Sequence, residues 1–286
     1  MEKLQIGILH PGAMGISLAA TAQNSGHEVF WSSEGRSPQT HARAAKFNLS
    51  DAGHLQSLCD KCSVIISVCP PHAAEETAKE VLAHPFDGIF ADVNAVSPGR
   101  TVRIGRLMET AGVRYVDGGI IGGPAWKVGT TRLYLSGPDA GQIAACFAGG
   151  PLETGVIGDI IGRASALKMC YAANTKGTTA LLAAVLGAAD CLGVRSELET
   201  QWSLEGSDFA EETNQRVRQV TVKAWRFVGE MDEIAATFRS AGVPGEFHQA
   251  AAEIYRRLAH YKDAPEVPSL SEVLADLAGA GPGEES

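Results

Sequence analysis

The chain has 286 residues, a net charge of −9 and 45% hydrophobic residues. That length suggests about two domains, each able to bury a core. An acidic balance with no basic block argues against nucleic acid and anionic membranes as partners. Six cysteines scattered through apolar stretches fit a reduced, cytoplasmic setting, and the early strand pattern leaves no room for a signal peptide.

The first element is a short apolar run, Ile6, Ile8 and Leu9, broken at His10-Pro11-Gly12. The run MGISLAATAQNSG follows at once and reads as a helix ended by Gly26. A strand, a tight glycine turn and a helix N-terminus form the layout that receives a dinucleotide pyrophosphate. Gly12 lets the backbone approach the phosphate, and Gly15 lets the helix pack closely on its strand. The free N–H groups and positive dipole end of the helix supply the anion site. The expected cofactor contacts here are His10, Pro11, Gly12, Ala13 and Met14. His10 takes the place of the first glycine of G-x-G-x-x-G, so two of the three glycines are present.

A second strand is expected over residues 27–31, completing a βαβ start. The loop after it reads Ser32-Ser33-Glu34-Gly35-Arg36-Ser37. An acid there would hold a ribose hydroxyl and select NAD, whereas a cation accommodates a 2′-phosphate. Glu34 suits the first role. Ser33, Arg36 and Ser37 suit the second, Arg being the usual bidentate partner of phosphate. The reading favours NADP(H) over NAD(H).

A helix follows over residues 40–46. Cys59 and Cys62 form a lone CxxC with no second pair, so a metal site is not expected there; the pair reads as a helix end entering a strand at 64–68. That strand stops at Pro70-Pro71. Next come a helix at 73–82, a strand at 88–93, a helix at 99–111, strands at 114–117 and 132–136, and a helix at 140–147. The alternation predicts an α/β domain, a Rossmann-like doubly wound parallel sheet over residues 1–158. Ligands of such sheets lie beyond the carboxyl ends of the strands. Cys69, Pro70, Pro71 and Asn94 stand at such ends and complete the expected cofactor contacts; Asp117-Gly118-Gly119 marks a third.

From Ile160 the pattern is helical almost throughout, with turn signals at Gly193, Gly206 and Gly242-Val243-Pro244. An all-α domain is therefore expected over residues 159–286, carrying substrate and subunit contacts. The apolar run 180–194 is interrupted by Asp190 and reads as a buried helix rather than a membrane span. Its apolar excess points to a homodimer. Residues 279–286 read as a frayed tail. At about 100° per residue, Lys168, Tyr171, Thr175 and Thr179 share one helix face. Trp202, Trp225, Arg226, His248, Tyr255 and Arg256 are candidates to line a substrate site, their plainer reading being core or surface.

Four segments carry a family resemblance: the HPGAMG turn, DVNAVSP at 92–98, DGGIIGGPAWKVG at 117–129, and GRASALKMCYAAN at 162–174. Together they resemble the β-hydroxyacid dehydrogenases, the group of 3-hydroxyisobutyrate and 6-phosphogluconate dehydrogenases. The resemblance implies that these segments bind cofactor, contact the nicotinamide side, form a substrate loop and supply a catalytic lysine, in that order. Lys168 is then the catalytic lysine, and Gly122 and Gly123 are the substrate-loop glycines. Two departures stand out. Ile121 replaces the serine that usually precedes the glycine pair, and Ala172 replaces the usual asparagine after the lysine. Tyr171, Asn174 and Lys176 are the candidates to replace those polar contacts, and Thr175 is a further expected substrate contact. The helical domain resembles a branch only loosely related to phosphogluconate dehydrogenase.

The implied activity is hydride transfer between NADP(H) and a small hydroxy acid or its carbonyl form, with Lys168 as general acid and base. Loss of the loop serine keeps imine reduction open as an alternative. A non-catalytic NADP-binding protein is the other.

Overall fold

The computed structural model describes residues 3–279; the expected tail lies, beyond Gly279, outside the described residues. The chain divides into two compact units, Met1–Met169 and Cys170–Ser286.

The first unit alternates strands and helices: β1 (Gln5–Ile8), α1 (Ala13–Asn24), β2 (Glu28–Trp31), α2 (Pro38–Lys46), β3 (Ser50–Asp51), α3 (Leu55–Lys61), β4 (Val64–Ser67), α4 (Ala74–Leu82), β5 (Ile89–Asp92), α5 (Pro98–Thr110), β6 (Arg114–Gly122), β7 (Thr131–Ser136), α6 (Ala140–Ala145), β8 (Glu153–Val156) and the start of α7 (Arg163–Ala172). The eight strands form one sheet in the order β3-β2-β1-β4-β5-β6-β7-β8. All pairs are parallel except β6 with β7. The order steps outward from β1 in both directions, which places the strand reversal, and hence the ligand edge, between β1 and β4.

Neighbouring residues of each central strand serve opposite faces. In β4, Val64 and Ile66 enter one core with Ile8, Trp31, Ala91 and Leu133, while Ile65 enters the other with Leu58, Phe90 and Tyr115. Both faces are thus covered by helices, and the strands read as continuous apolar runs.

Three features differ from the sequence expectation. β6 runs on through Asp117-Gly118-Gly119 to Gly122 and returns as an antiparallel hairpin with β7. The sequence pattern places these glycines at a strand end, but Gly118 and Gly119 sit in ladder register with Leu135 and Tyr134. A short strand, β3, adds to one sheet edge, and β8 to the other. The unit boundary falls inside α7 rather than at residue 158. The chain up to Gly158 is still sheet edge, its carbonyl accepting from the Gly137 N–H at 3.1 Å, and the first turns of α7 are bound to β6.

The second unit begins within α7. It continues through a π-helical turn (Ala173–Gly177) into α8 (Thr178–Cys191), α9 (Arg195–Trp202), α10 (Phe209–Ser240), α11 (Glu246–Arg257) and α12 (Leu270–Ala278). α10, 32 residues long, buries Val217, Ala224, Met231, Ile234 and Ala235. α12 starts on a capping box of Ser269 and Glu272 and ends at Gly279 in the left-handed conformation, the two stop signals expected of a helix. Among the described residues, no helix is long and apolar enough to cross a membrane.

Candidate active site

The glycine turn joins β1 to α1. Gly12 is the N-cap of α1, with extended backbone and no side chain capping the helix, so the first-turn N–H groups have no intrahelical or side-chain acceptor. A Cβ on Gly12 would meet nothing within 4 Å, whereas one on Gly15 would strike the His10 carbonyl oxygen and lie 3.0 Å from Val68 Cγ1. Gly15 is therefore required by packing, and Gly12 leaves open a cradle above the helix end. Positive φ among the described residues does not include His10, so its position tolerates a side chain. The imidazole is largely buried, and burial, with the nearby Arg36 charge, lowers its pKa to about 4.

The loop after β2 curls over this turn. The Ser33 hydroxyl donates to the Gly53 carbonyl at 3.4 Å, and Ser37 caps α2 by accepting from the Thr40 N–H at 3.3 Å. Arg43, on α2, donates to the Pro11 carbonyl at 3.2 Å and ties α2 to the glycine turn. Arg36 is half-buried, and its Nε has no hydrogen-bond partner.

At the ends of β4 and β5, Asn94 is 2% exposed. Its carboxamide oxygen accepts from the Cys69 N–H, and its nitrogen donates to Ser67 Oγ at 3.1 Å. Asn94 thus clamps the two strand ends together. Pro70 is exposed; Pro71 is half-buried, and its carbonyl accepts from Arg100 at 2.8 Å. Cys69 has its thiol pushed up to about 11 by burial, so it stays protonated near neutrality.

The arrangement with the most chemistry lies between β6 and α7. Asp117 is buried at the middle of β6 and accepts from the N–H groups of Gly162 and Ser165 at 2.9 and 3.1 Å. It also accepts from the hydroxyls of Ser165 at 2.6 Å and Ser136 at 2.9 Å. A carboxylate at a helix N-terminus satisfies orphan donors and opposes the positive dipole end. One turn on, α7 lies so close to β6 that a Cβ on Gly119 would stand 2.7 Å from the Ala164 carbonyl oxygen and 2.9 Å from Lys168 Cβ. Lys168 is therefore held by its stem against the glycine strand, half-buried.

Beneath this clamp, Tyr115 links Thr101 at 2.6 Å to Asp92 at 3.2 Å. Burial, reinforced by the Asp117 charge and opposed by the Asn94 N–H, raises the Asp92 pKa to about 7. The folded chain binds that proton more tightly than the unfolded chain does, so this contribution to stability is full below about pH 4 and is lost as pH rises through about 7. Asp92→Asn, which keeps the acceptor, is expected to flatten that slope. Urea denaturation of both proteins at several pH values between 4 and 8 measures it; parallel curves would reject the assignment.

The β6–β7 hairpin carries the glycine pair. Gly122 has φ +115°, and a Cβ there would strike the Thr130 carbonyl oxygen, so only glycine fits. Gly123 is exposed with open space above it, and its carbonyl accepts from the Thr131 hydroxyl at 2.7 Å.

Residues 5–144 match the family described as the NAD binding domain of 6-phosphogluconate dehydrogenase, and residues 189–258 match a domain of unknown function, DUF1932. An uncharacterized 28.5 kDa protein of Methanothermus fervidus is 31% identical over 203 residues, 70% of this chain and 78% of that protein. A solved conserved protein of unknown function, described as structurally similar to 3-hydroxyacid dehydrogenases, is 30% identical. It aligns with a TM-score of 0.67 over 90% of this chain and 97% of its own. The chain belongs to the family of these two proteins, which is structurally similar to the 3-hydroxyacid dehydrogenases. Mycobacterium tuberculosis 3-hydroxyisobutyrate dehydrogenase shares the fold, with a TM-score of 0.69 at 18% identity, over 96% of this chain and 99% of that one. This family member carries the 6-phosphogluconate dehydrogenase type of NAD(P)-binding domain in front of a DUF1932 domain.

The residues present fit a dinucleotide. The Gly12 cradle is open, the α1 N-terminus is uncapped, and a buried guanidinium nitrogen of Arg36 lacks a partner. His10, Pro11, Gly12, Ala13 and Met14 form the turn at the sheet's ligand edge; Cys69, Pro70 and Pro71 stand at the neighbouring strand end. Asn94 acts by clamping backbone, since both ends of its carboxamide are engaged.

Tyr171, Asn174 and Thr175 lie in the second unit, and all three are exposed. The helical wheel drawn at a constant angle fails here, because each residue of the π-helical turn advances the helix less than an α-helical residue does. Thr179 is buried instead, donating to the Thr175 carbonyl at 2.8 Å. Lys176 does not stand in for the missing asparagine: it forms a buried ion pair with Glu230, lies 4.3 Å from the Phe227 ring centroid, and its carbonyl accepts from Tyr255. His248 and Tyr255 are core residues, while Trp225 is partly covered by Lys262 at 4.3 Å. Asp117 is the residue that the sequence pattern missed. Its signal was an acid followed by two glycines inside a strand, which resembles turn chemistry until the helix start it caps is known.

Proposed function

We propose that this protein is an NADP(H)-dependent oxidoreductase that moves a hydride between the nicotinamide and a small hydroxy acid or its carbonyl form. The supporting observation is the placement of Lys168, the family's lysine position, on a helix that Asp117 pins to β6 and that Gly119 admits at close range. When bound, the dinucleotide supplies or accepts the hydride. Lys168 gives a proton to the carbonyl oxygen in reduction and takes it back in oxidation. The reductive direction calls for the cationic form of the amine, and the oxidative one for the neutral form. Gly122 and Gly123 present hairpin backbone to the substrate. The working form is taken as a cytoplasmic homodimer.

Consumption of NADPH with small oxo acids, compared directly with NADH, tests this reading. Absence of turnover across a broad panel would instead support a non-catalytic NADP-binding protein. Ile121, aliphatic where the family has serine, favours a second reading in which the substrate is an uncharged imine; faster turnover of cyclic imines than of oxo acids would establish it. For the cofactor, Arg36→Ala is expected to raise the KM for NADP(H) about tenfold or more and that for NAD(H) by less than about twofold. Equal increases would reject a 2′-phosphate role for Arg36.

A further inference from the structure

The polar groups around the glycine turn are unequally provided for. Ser33 and Ser37 have their hydroxyls engaged, on the Gly53 carbonyl and in the α2 cap, and Arg43 is held on the Pro11 carbonyl. Two nitrogens are left over: His10 Nδ1 and Arg36 Nε are both buried without a hydrogen-bond partner. Both stand where α2 meets the glycine turn: His10 precedes Pro11, whose carbonyl Arg43 of α2 holds, and Arg36 lies just ahead of the Ser37 cap of α2, its charge acting on the imidazole. A buried unpartnered nitrogen is destabilising, and two at one turn call for a physical reason. A glycine at position 10, as in the three-glycine turn, would carry no such cost.

We propose that the His10 side chain works with Arg36 as a two-nitrogen receptor for the phosphate on the adenosine 2′ oxygen of NADP(H). Resting on the NADP(H) reading above, it adds a specificity residue on the glycine turn itself, outside the β2 loop. Turning the two side chains toward a phosphate exchanges two unmet nitrogens for charge-assisted hydrogen bonds. NAD(H), which has only a hydroxyl there, does not repay that rearrangement. The neutral imidazole of the free state also keeps a second cation from facing Arg36 until the anion arrives.

Calorimetric binding of NADP+ and NAD+ to the full-length protein tests this without reference to turnover. His10→Gly restores the three-glycine turn and is expected to weaken NADP+ about tenfold while leaving NAD+ within about twofold. His10→Gln, which keeps a donor and an acceptor, should recover most of the loss. Because both residues serve one phosphate, His10→Gly combined with Arg36→Ala should weaken NADP+ by less than the product of the two single effects. An unchanged NADP+/NAD+ ratio in His10→Gly, or equal weakening of both ligands, overturns the proposal; if that variant does not fold, the ratio in His10→Ala decides in the same way. Should Arg36→Ala discriminate and His10→Gly not, NADP(H) selection stands and the histidine has no part in it. Should the unaltered protein bind NAD+ as tightly as NADP+, both fail.

Discussion

Replacing Lys168 with alanine is expected to lower kcat by about 10²–10⁴-fold, the range for loss of a positioned acid or base. Dinucleotide Kd should stay within about twofold. The two expectations separate because the stem of Lys168 packs on Gly119, whereas the dinucleotide cradle is built by Gly12 and the α1 start. Removing the side chain deletes a small contact over the glycine strand and leaves the β1–α1 turn untouched. Lys168→Arg should fail to restore turnover, since a guanidinium holds its proton too tightly to exchange it and is too broad for a slot shaped by Gly119. Dinucleotide titration and steady-state kinetics on the same preparations make the comparison. Loss of binding in step with turnover would show that the lysine holds the fold and not the proton.

Asp117→Ala carries the largest expected loss of stability. The substitution leaves two backbone N–H groups at the start of α7 and the hydroxyls of Ser136 and Ser165 without their common acceptor. At about 1–3 kcal/mol for each unmet buried group, reduced by local relaxation, the loss is about 4 kcal/mol. That is a large share of ordinary domain stability. For a unit of this size it corresponds to a fall in melting temperature of roughly 8–16 °C. Asp117→Asn retains one acceptor oxygen but turns an amide N–H₂ toward donors, so an intermediate fall is expected. The milder variant also reports on position: kcat measured well below its melting temperature should drop while dinucleotide Kd holds. A melting temperature within about 2 °C of the parent for Asp117→Ala would contradict the clamp.

Much of the Rossmann half could be read from residues because periodicity and punctuation agree there. The strand at residues 64–68 and its stop at Pro70-Pro71 appear in the fold as β4 and the turn after it. Cys59 and Cys62 lie on α3 and at its C-cap, entering β4, with thiols pushed up to about 11 and about 12 by burial. What eluded the pattern depended on distant partners. Gly118 and Gly119 look like turn residues unless β7 is known to pair beside them and α7 to press upon them. The side chain of Asp117 has sequence neighbours that explain nothing; its partners lie near residues 136 and 162–165. The π-helical turn at Ala173–Gly177 leaves no mark in the composition of the run, so a face drawn at constant angle does not hold beyond Ala172. Lys176 shows the same limit, since its Glu230 partner is far along the chain.

The close approach of α7 to Gly119 also sets where this scaffold can change. A methyl group at that position meets main chain, which no choice of rotamer relieves, and the helix cannot slide away because its first turn is bolted to the strand. Drift in the sequence is thus frozen where the stem of Lys168 packs and free a few residues later, at Ile121 and the open tip around Gly123. Under the proposed function, new substrates can be acquired at that tip while Lys168 keeps its place.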